Sequence, residues 1–154
     1  MASATETNVV TREIAIDARP ETVWEFLVDP EKATRWMGQA ATFDPRPGGI
    51  YYVEVIPGHT AQGEFVELDP PRRLVQTWGW LPGENASSVP PGSTTIEIEL
   101  VEDGDGTLLR FVHSLPDAAN AESHAHGWDH YLARLALAAA GGDPGEDPWI
   151  SGPM

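Results

Sequence analysis

The chain has 154 residues, no cysteine, and 24 acidic against nine basic residues, for a formal net charge of -15. That length suits one domain with one core, and the lack of cysteine excludes disulfides, thiolate zinc sites and cysteine nucleophiles. Phosphate and anionic-lipid surfaces are bound by clustered Lys and Arg; only short pairs such as Arg72-Arg73 occur here, so neither nucleic acid nor membrane is an expected partner.

The N-terminal MASATETNVV lacks the apolar core of a signal peptide. The longest apolar run, Leu135 to Gly142, is far too short to span a bilayer. The cytoplasm is therefore the expected location, which makes the Asn85-Ala86-Ser87 glycosylation sequon incidental.

In chain order, residues 8–16 (NVVTREIAI) are β-branched and alternate at their end, which predicts a strand. In 17–38, Pro20 suits a first helical turn, with Asp17 or Ala18-Arg19 near the cap. Val23, Phe26 and Leu27 form an apolar stripe, and Pro30 ends that helix. A second short helix is predicted over Glu31 to Met37, stopping at Gly38. Six strands follow: ATFDP; IYYVEVI after the Arg46-Pro47-Gly48-Gly49 turn; GEFVELDPP after a loop holding His59; RRLVQTWGWL; STTIEIELVED; and TLLRFVHSL after Gly104-Asp105-Gly106. Residues 82–93 read as a Pro/Gly/Ser hairpin loop. Leu74, Gln76, Trp78 and Trp80 share one face; Ile96, Ile98 and Leu100 oppose Glu97 and Glu99; Leu109, Phe111 and His113 share a register. A long helix is predicted from about Asp117 to Ala140, stopped by Gly141-Gly142. The core thus spans 8–141, with a Pro/Gly-rich tail at 142–154 and no second domain. Consecutive antiparallel strands with segregated helices predict an α+β architecture: a curved sheet of about seven strands around the long C-terminal helix.

Five stretches in this order, ARPETVWEFLVDPEKATRWMG (18–38), FDPRPGGIYYVEV (43–55), GEFVELDPPRRLVQTWGW (63–80), PGSTTIEIELVEDGDGTLLRFVHSLP (91–116) and HAHGWDHYLARLALAAAG (124–141), carry a resemblance to a known superfamily. The chain resembles the START/Bet v 1-like (SRPBCC) superfamily with its helix-grip fold, and within it the AHSA1-like branch related to the activator of Hsp90 ATPase. The resemblance implies a mainly apolar cavity between sheet and long helix. An empty apolar void of roughly 300 Å³ would cost roughly 7 kcal/mol, comparable to a small domain's whole stability. A cavity of that size implies an occupant. The resemblance also covers lipid carriers, cyclases and chaperone regulators, and fold alone does not choose among them.

Helical phase divides the cluster His124, His126 and His130. Taking Trp128 as inward, His124, Tyr131, Leu132 and Leu135 face the sheet, whereas His126, His130 and Leu137 face away. His126 and His130 have the spacing of a metal pair, with Asp129 as a possible third ligand, but no HExxH or thiolate accompanies them, and solvent-facing histidines are the simpler reading. No metal and no cofactor is expected. His113 and His124 are candidate inward acid–base groups, or else core histidines satisfied by hydrogen bonds. Strand parity sends either Glu64 or Glu67 inward, so Glu67 is a third candidate, against a rim position paired with Arg72 or Arg73. The expected cavity lining is Trp36, Met37, Phe43, Tyr51, Val53, Trp78, Trp80, Ile98, Phe111, His113, His124, Trp128, Tyr131, Leu132 and Leu135. The expected function is binding of a small hydrophobic molecule: a lipid, polyketide or aromatic metabolite. The alternatives are a cyclase- or hydrolase-type enzyme using the same cavity, or a chaperone regulator. Hsp90 is the less expected partner, because the chain lacks the second domain of the eukaryotic activators and any basic docking patch. A monomer or weak homodimer is expected.

Overall fold

The computed structural model describes residues 8–81 and 89–151. The sequon and most of the predicted 82–93 loop lie outside the described residues. The elements are β1 (Val9–Ile16), α1 (Pro20–Val28), α2 (Pro30–Ala33), β2 (Ala40–Phe43), β3 (Ile50–Ile56), β4 (His59–Asp69), β5 (Arg73–Trp78), β6 (Thr94–Asp103), β7 (Gly106–Ser114), α3 (Ala118–Ala139) and α4 (Pro148–Ser151). The seven strands form one antiparallel sheet in the order β1-β7-β6-β5-β4-β3-β2. β2 to β7 are thus a meander, and β1 docks on β7 at its far side. Because β1 and β2 are opposite edges, α1 and α2 carry the chain across the whole width of the sheet.

Alternation sets which face is buried. Along β6, Thr94, Ile96, Ile98 and Leu100 are buried and their neighbours more exposed; along β7, Thr107, Leu109, Phe111 and His113 are buried. The register sets Ile96 beside His113, Ile98 beside Phe111 and Leu100 beside Leu109. Val23, Phe26 and Leu27 of α1, and Trp128, Leu132 and Leu135 of α3, complete a single hydrophobic core. α3 rests on β1 and α1. Asp117 caps it, its carboxylate accepting from Asn120 N at 2.9 Å. A two-point ion pair from Arg12 of β1 to Asp129, with Nε–Oδ1 at 2.6 Å, ties it to the sheet.

Several local expectations are corrected. The second helix begins at Pro30 and is a single turn, because Asp29 caps it from the preceding position, accepting from Glu31 N. His59 opens β4 instead of lying in a loop: the β3–β4 connection is a tight turn made possible by Gly58 at φ 82°. The cap of α1 is Arg19, one of the expected positions, and it makes no side-chain cap bond. Residues 142–151 are not a bare tail: they return to α3 and end in α4.

Candidate functional site

Strands β2, β3, β5 and β7 contribute residues to an aromatic cluster under α3. Trp78 ends β5; its ring centroid lies 5.1 Å from Trp128, 5.4 Å from Trp80 and 5.9 Å from Tyr51 of β3. Phe111 is 4.7 Å from Trp128, and Phe43 stacks on Tyr51 at 4.7 Å. The sheet bends around this group. Gly63 of β4 lies so close to β5 that a Cβ would meet the Thr77 carbonyl oxygen at 2.0 Å, and a bulge interrupts the β4–β5 pairing between Phe65 and Glu67.

The two inner histidines belong to this cluster, with ring centroids 5.3 Å apart. His113 is fully buried. Its Nδ1 accepts the indole N–H of Trp128 at 3.0 Å, and its Nε2 lies 2.8 Å from the Thr94 hydroxyl, which donates to the Trp78 carbonyl at 2.7 Å. An indole nitrogen only donates, and the threonine proton is already committed. His113 is therefore the neutral Nε2–H tautomer, donating to Thr94. His124 repeats the arrangement in the other tautomer. Its Nε2 accepts the indole N–H of Trp80 at 3.1 Å, and its Nδ1 donates to the Asn120 carbonyl at 2.8 Å, one helical turn back.

Burial, with a smaller effect from nearby His124, pushes the His113 pKa down to about 3. Burial also lowers His124, partly offset by the Asn120 carbonyl. Neither imidazole has a nitrogen left over to take a proton, because a second proton on either ring would point at an indole N–H. Their role is to hold two indoles in fixed orientations. Trp78 has no such partner. Its Nε1 is buried and has no hydrogen-bond partner among the described residues. Nearby, Gln76 is buried and bonded to the Tyr51 hydroxyl, whose pKa burial raises.

The structure does not put Glu67 among these groups. Glu67 is exposed and paired with Arg73 at 3.1 Å. The parity argument fails at the bulge: the extra residue leaves Glu64, Val66 and Glu67 all outside. The other expected lining residues occupy the core. Trp36, Met37, Tyr51, Val53, Trp78, Ile98, Phe111, Trp128, Tyr131, Leu132 and Leu135 are buried, and Phe43, Trp80 and His124 are half-buried at its margin.

The outer histidines are not simply solvent-facing. Trp149 of α4 stacks on His130 at 3.7 Å and on His126 at 5.3 Å between centroids. Asp147, 3% exposed, accepts from the Tyr131 hydroxyl at 2.7 Å and from Trp149 N at 3.0 Å, and meets His130 Nε2 at 2.9 Å. Burial pushes the Asp147 pKa up, but these hydrogen bonds outweigh it and leave the carboxyl below its usual range. Asp129 is engaged by Arg12. Among the described residues no group of three His, Asp or Glu is placed to hold a metal ion. A surface groove of about 490 Å³, lined by Pro20, Glu21, Pro71, Arg72 and Glu99–Glu102, lies at the opposite end of β6 from Thr94 and contains none of these groups.

Thr94, Asn120 and Asp147 were not singled out in the sequence. Thr94 had a signal, sharing parity with Ile96 and Ile98. Asn120 sits four residues before His124, which is within reach on a helix. Asp147 had none.

A seven-stranded antiparallel sheet with a long C-terminal helix and two short helices after the first strand is the helix-grip arrangement, and residues 17–140 match the family model of the activator of Hsp90 ATPase homolog 1-like protein. The chain belongs to the AHSA1 family. An AHSA1-like protein from Rhizobium etli is 46% identical, with 95% of this chain and 90% of that one covered and a TM-score of 0.72. CalU16 from Micromonospora echinospora is 26% identical over 86% of this chain and 76% of its own, with a TM-score of 0.68. The Aha1 dimer from Colwellia psychrerythraea, 20% identical, shares the fold over 90% of this chain and 98% of its own, with a TM-score of 0.71. A search of curated proteins finds no match. Among the described residues of this AHSA1-family chain, no helix is long and apolar enough to cross a membrane.

Proposed function

We propose that the chain binds a small hydrophobic molecule, a lipid, polyketide or aromatic metabolite, between α3 and the inner face of the sheet, and that the molecule carries a hydrogen-bond acceptor. The observation that supports this is the unpartnered indole N–H of Trp78. A buried donor without an acceptor costs about 1–3 kcal/mol. Its two neighbouring indoles each have a histidine for that purpose. A carbonyl or hydroxyl oxygen on a ligand would relieve the cost, while the faces of Trp78, Trp80, Trp128 and Tyr51 would take its apolar body.

The enzyme alternative loses its proposed acid–base groups: both imidazoles are occupied on both nitrogens, and Glu67 is outside. Binding is the reading the geometry supports best.

The test is fluorescence titration with prodan, a neutral naphthalene ketone, against N-phenylnaphthylamine, a neutral naphthalene without a carbonyl. The Trp78→Phe variant keeps an aromatic ring and removes the donor. Prodan is expected to bind the wild type and to lose about three- to tenfold in affinity in the variant, with phenylnaphthylamine unchanged. Failure of both probes to bind the wild type would sink the reading. Equal losses for the two probes would remove Trp78 as the donor.

A further inference from the structure

We propose that residues 143–151 are a strap that gates passage to the aromatic cluster, so that a ligand enters and leaves when the strap lifts. This rests on the binding reading above.

The position of the strap carries the argument. α3 lies on β1 and α1, towards one edge of the sheet. β3, which supplies Tyr51 to the cluster, lies towards the other edge. α4 touches β3, and its Trp149 packs on His130 and Tyr131 of α3, so the segment spans from α3 to β3. Trp149 and Ile150 pack there against the margin of the core.

The way the strap is held is also suited to a gate. Its main chain joins no strand. Arg134 of α3 grips it, donating to the carbonyls of Pro144 at 3.1 Å and Gly145 at 2.8 Å, while its Nε donates to Trp36. Asp147 is the second hold, bonded to Tyr131 and His130 of α3. Trp149 is the third, through its ring faces. These holds are side-chain contacts within one short segment, and Gly141 (φ 94°) and Gly145 (φ 71°) bracket the chain leading to Asp147. Such a segment can open without disturbing the sheet ladders.

The experiment uses the full chain and two variants. Asp147→Asn keeps the shape and removes the charge; Trp149→Ala removes the stacking and leaves α3 intact. Two quantities are read: hydrogen exchange at the Ile150 amide, with β6 and β7 amides as the check that the fold is unchanged, and stopped-flow rates for prodan. About tenfold faster exchange is expected at Ile150 in each variant, which corresponds to about 1.4 kcal/mol of lost hold. Prodan association and dissociation should both accelerate by a similar factor, leaving the affinity within about twofold. Faster exchange with unchanged prodan rates would make the strap mere packing and leave the binding reading intact. Unchanged exchange in both variants would also overturn the gate. Absence of prodan binding to the wild type would take the binding reading down, and the gate with it.

Discussion

The chain uses histidine and tryptophan together in two regions, in opposite ways. On the inner face, His113 and His124 meet indoles edge-on: Trp128 and Trp80 each donate an N–H to a ring nitrogen. On the side of α3 that meets α4, His126 and His130 meet Trp149 face-on, by stacking. Nitrogen-to-nitrogen contact fixes tautomer, orientation and charge together, because an imidazole accepting from an indole is neutral on that atom. Face-on stacking fixes none of these, and in the outer pair it is His130 Nε2, 2.9 Å from Asp147, that adds a nitrogen contact. The inner pair is therefore part of the architecture of the core, and the outer pair is a surface on which a short segment rests.

The sharpest break of this contrast is His113→Phe. The ring volume is nearly kept, but the Trp128 N–H loses its acceptor and the Thr94 hydroxyl loses its donor. A buried orphan donor costs about 1–3 kcal/mol, so a loss of about 2–4 kcal/mol is expected in urea unfolding with both disruptions present. A loss below that of an exposed substitution would mean that the imidazole is not holding the indole.

Acid is the next largest probe. The folded-state pKa of His113 is about 3, below its ordinary 6.5. Between these values the unfolded chain binds a proton that the folded chain refuses, so stability is complete above about pH 6.5 and falls as pH drops towards 3. At about pH 5 the His113 share of that loss is about 2 kcal/mol, and His124, also lowered, adds to it in the same direction. Denaturant midpoints measured across this range should decline in the wild type and decline less steeply in His113→Phe. Parallel slopes would show that His113 protonates freely in the folded state.

The same contrast explains what was legible in the sequence. Strand alternation placed His113 inward with Leu109 and Phe111, and helical phase placed His124 inward with Trp128; both periods survive because their elements are regular over many residues. Glu67 escaped because one bulged residue reverses parity, and a bulge leaves no mark in an alternating pattern. The covering of His126 and His130 escaped for another reason. The tail GDPGEDPWI has no period at all, and its return depends on a long-range match between Asp147 and the Tyr131–His130 pair. Contacts made by single side chains across a loop are not written in local spacing.

Thr94→Val tests the outer link of the inner chain. The side chain keeps its shape but removes the hydroxyl that accepts from His113 and donates to the Trp78 carbonyl. The His113 Nε2–H is then left unpaired, at an expected cost of about 1–2 kcal/mol. If Thr94→Val and His113→Phe act on one network, the double variant should lose less than the two single losses added; strict additivity would mean that the two residues act independently.

His126→Ala should have the smallest effect. His126 is exposed, its ring lies 5.3 Å from that of Trp149, and no orphan donor or acceptor follows from its removal. Global stability should move by no more than about 0.5 kcal/mol. His130 still stacks on Trp149 at 3.7 Å, and Asp147 still receives Tyr131. Whatever does change should be confined to the strap and read as a modest quickening of exchange at Ile150. A loss comparable to that of His113→Phe would show the outer stack to be as integral to the fold as the inner pair, and would erase the distinction between a histidine held by its nitrogens and one held by its face.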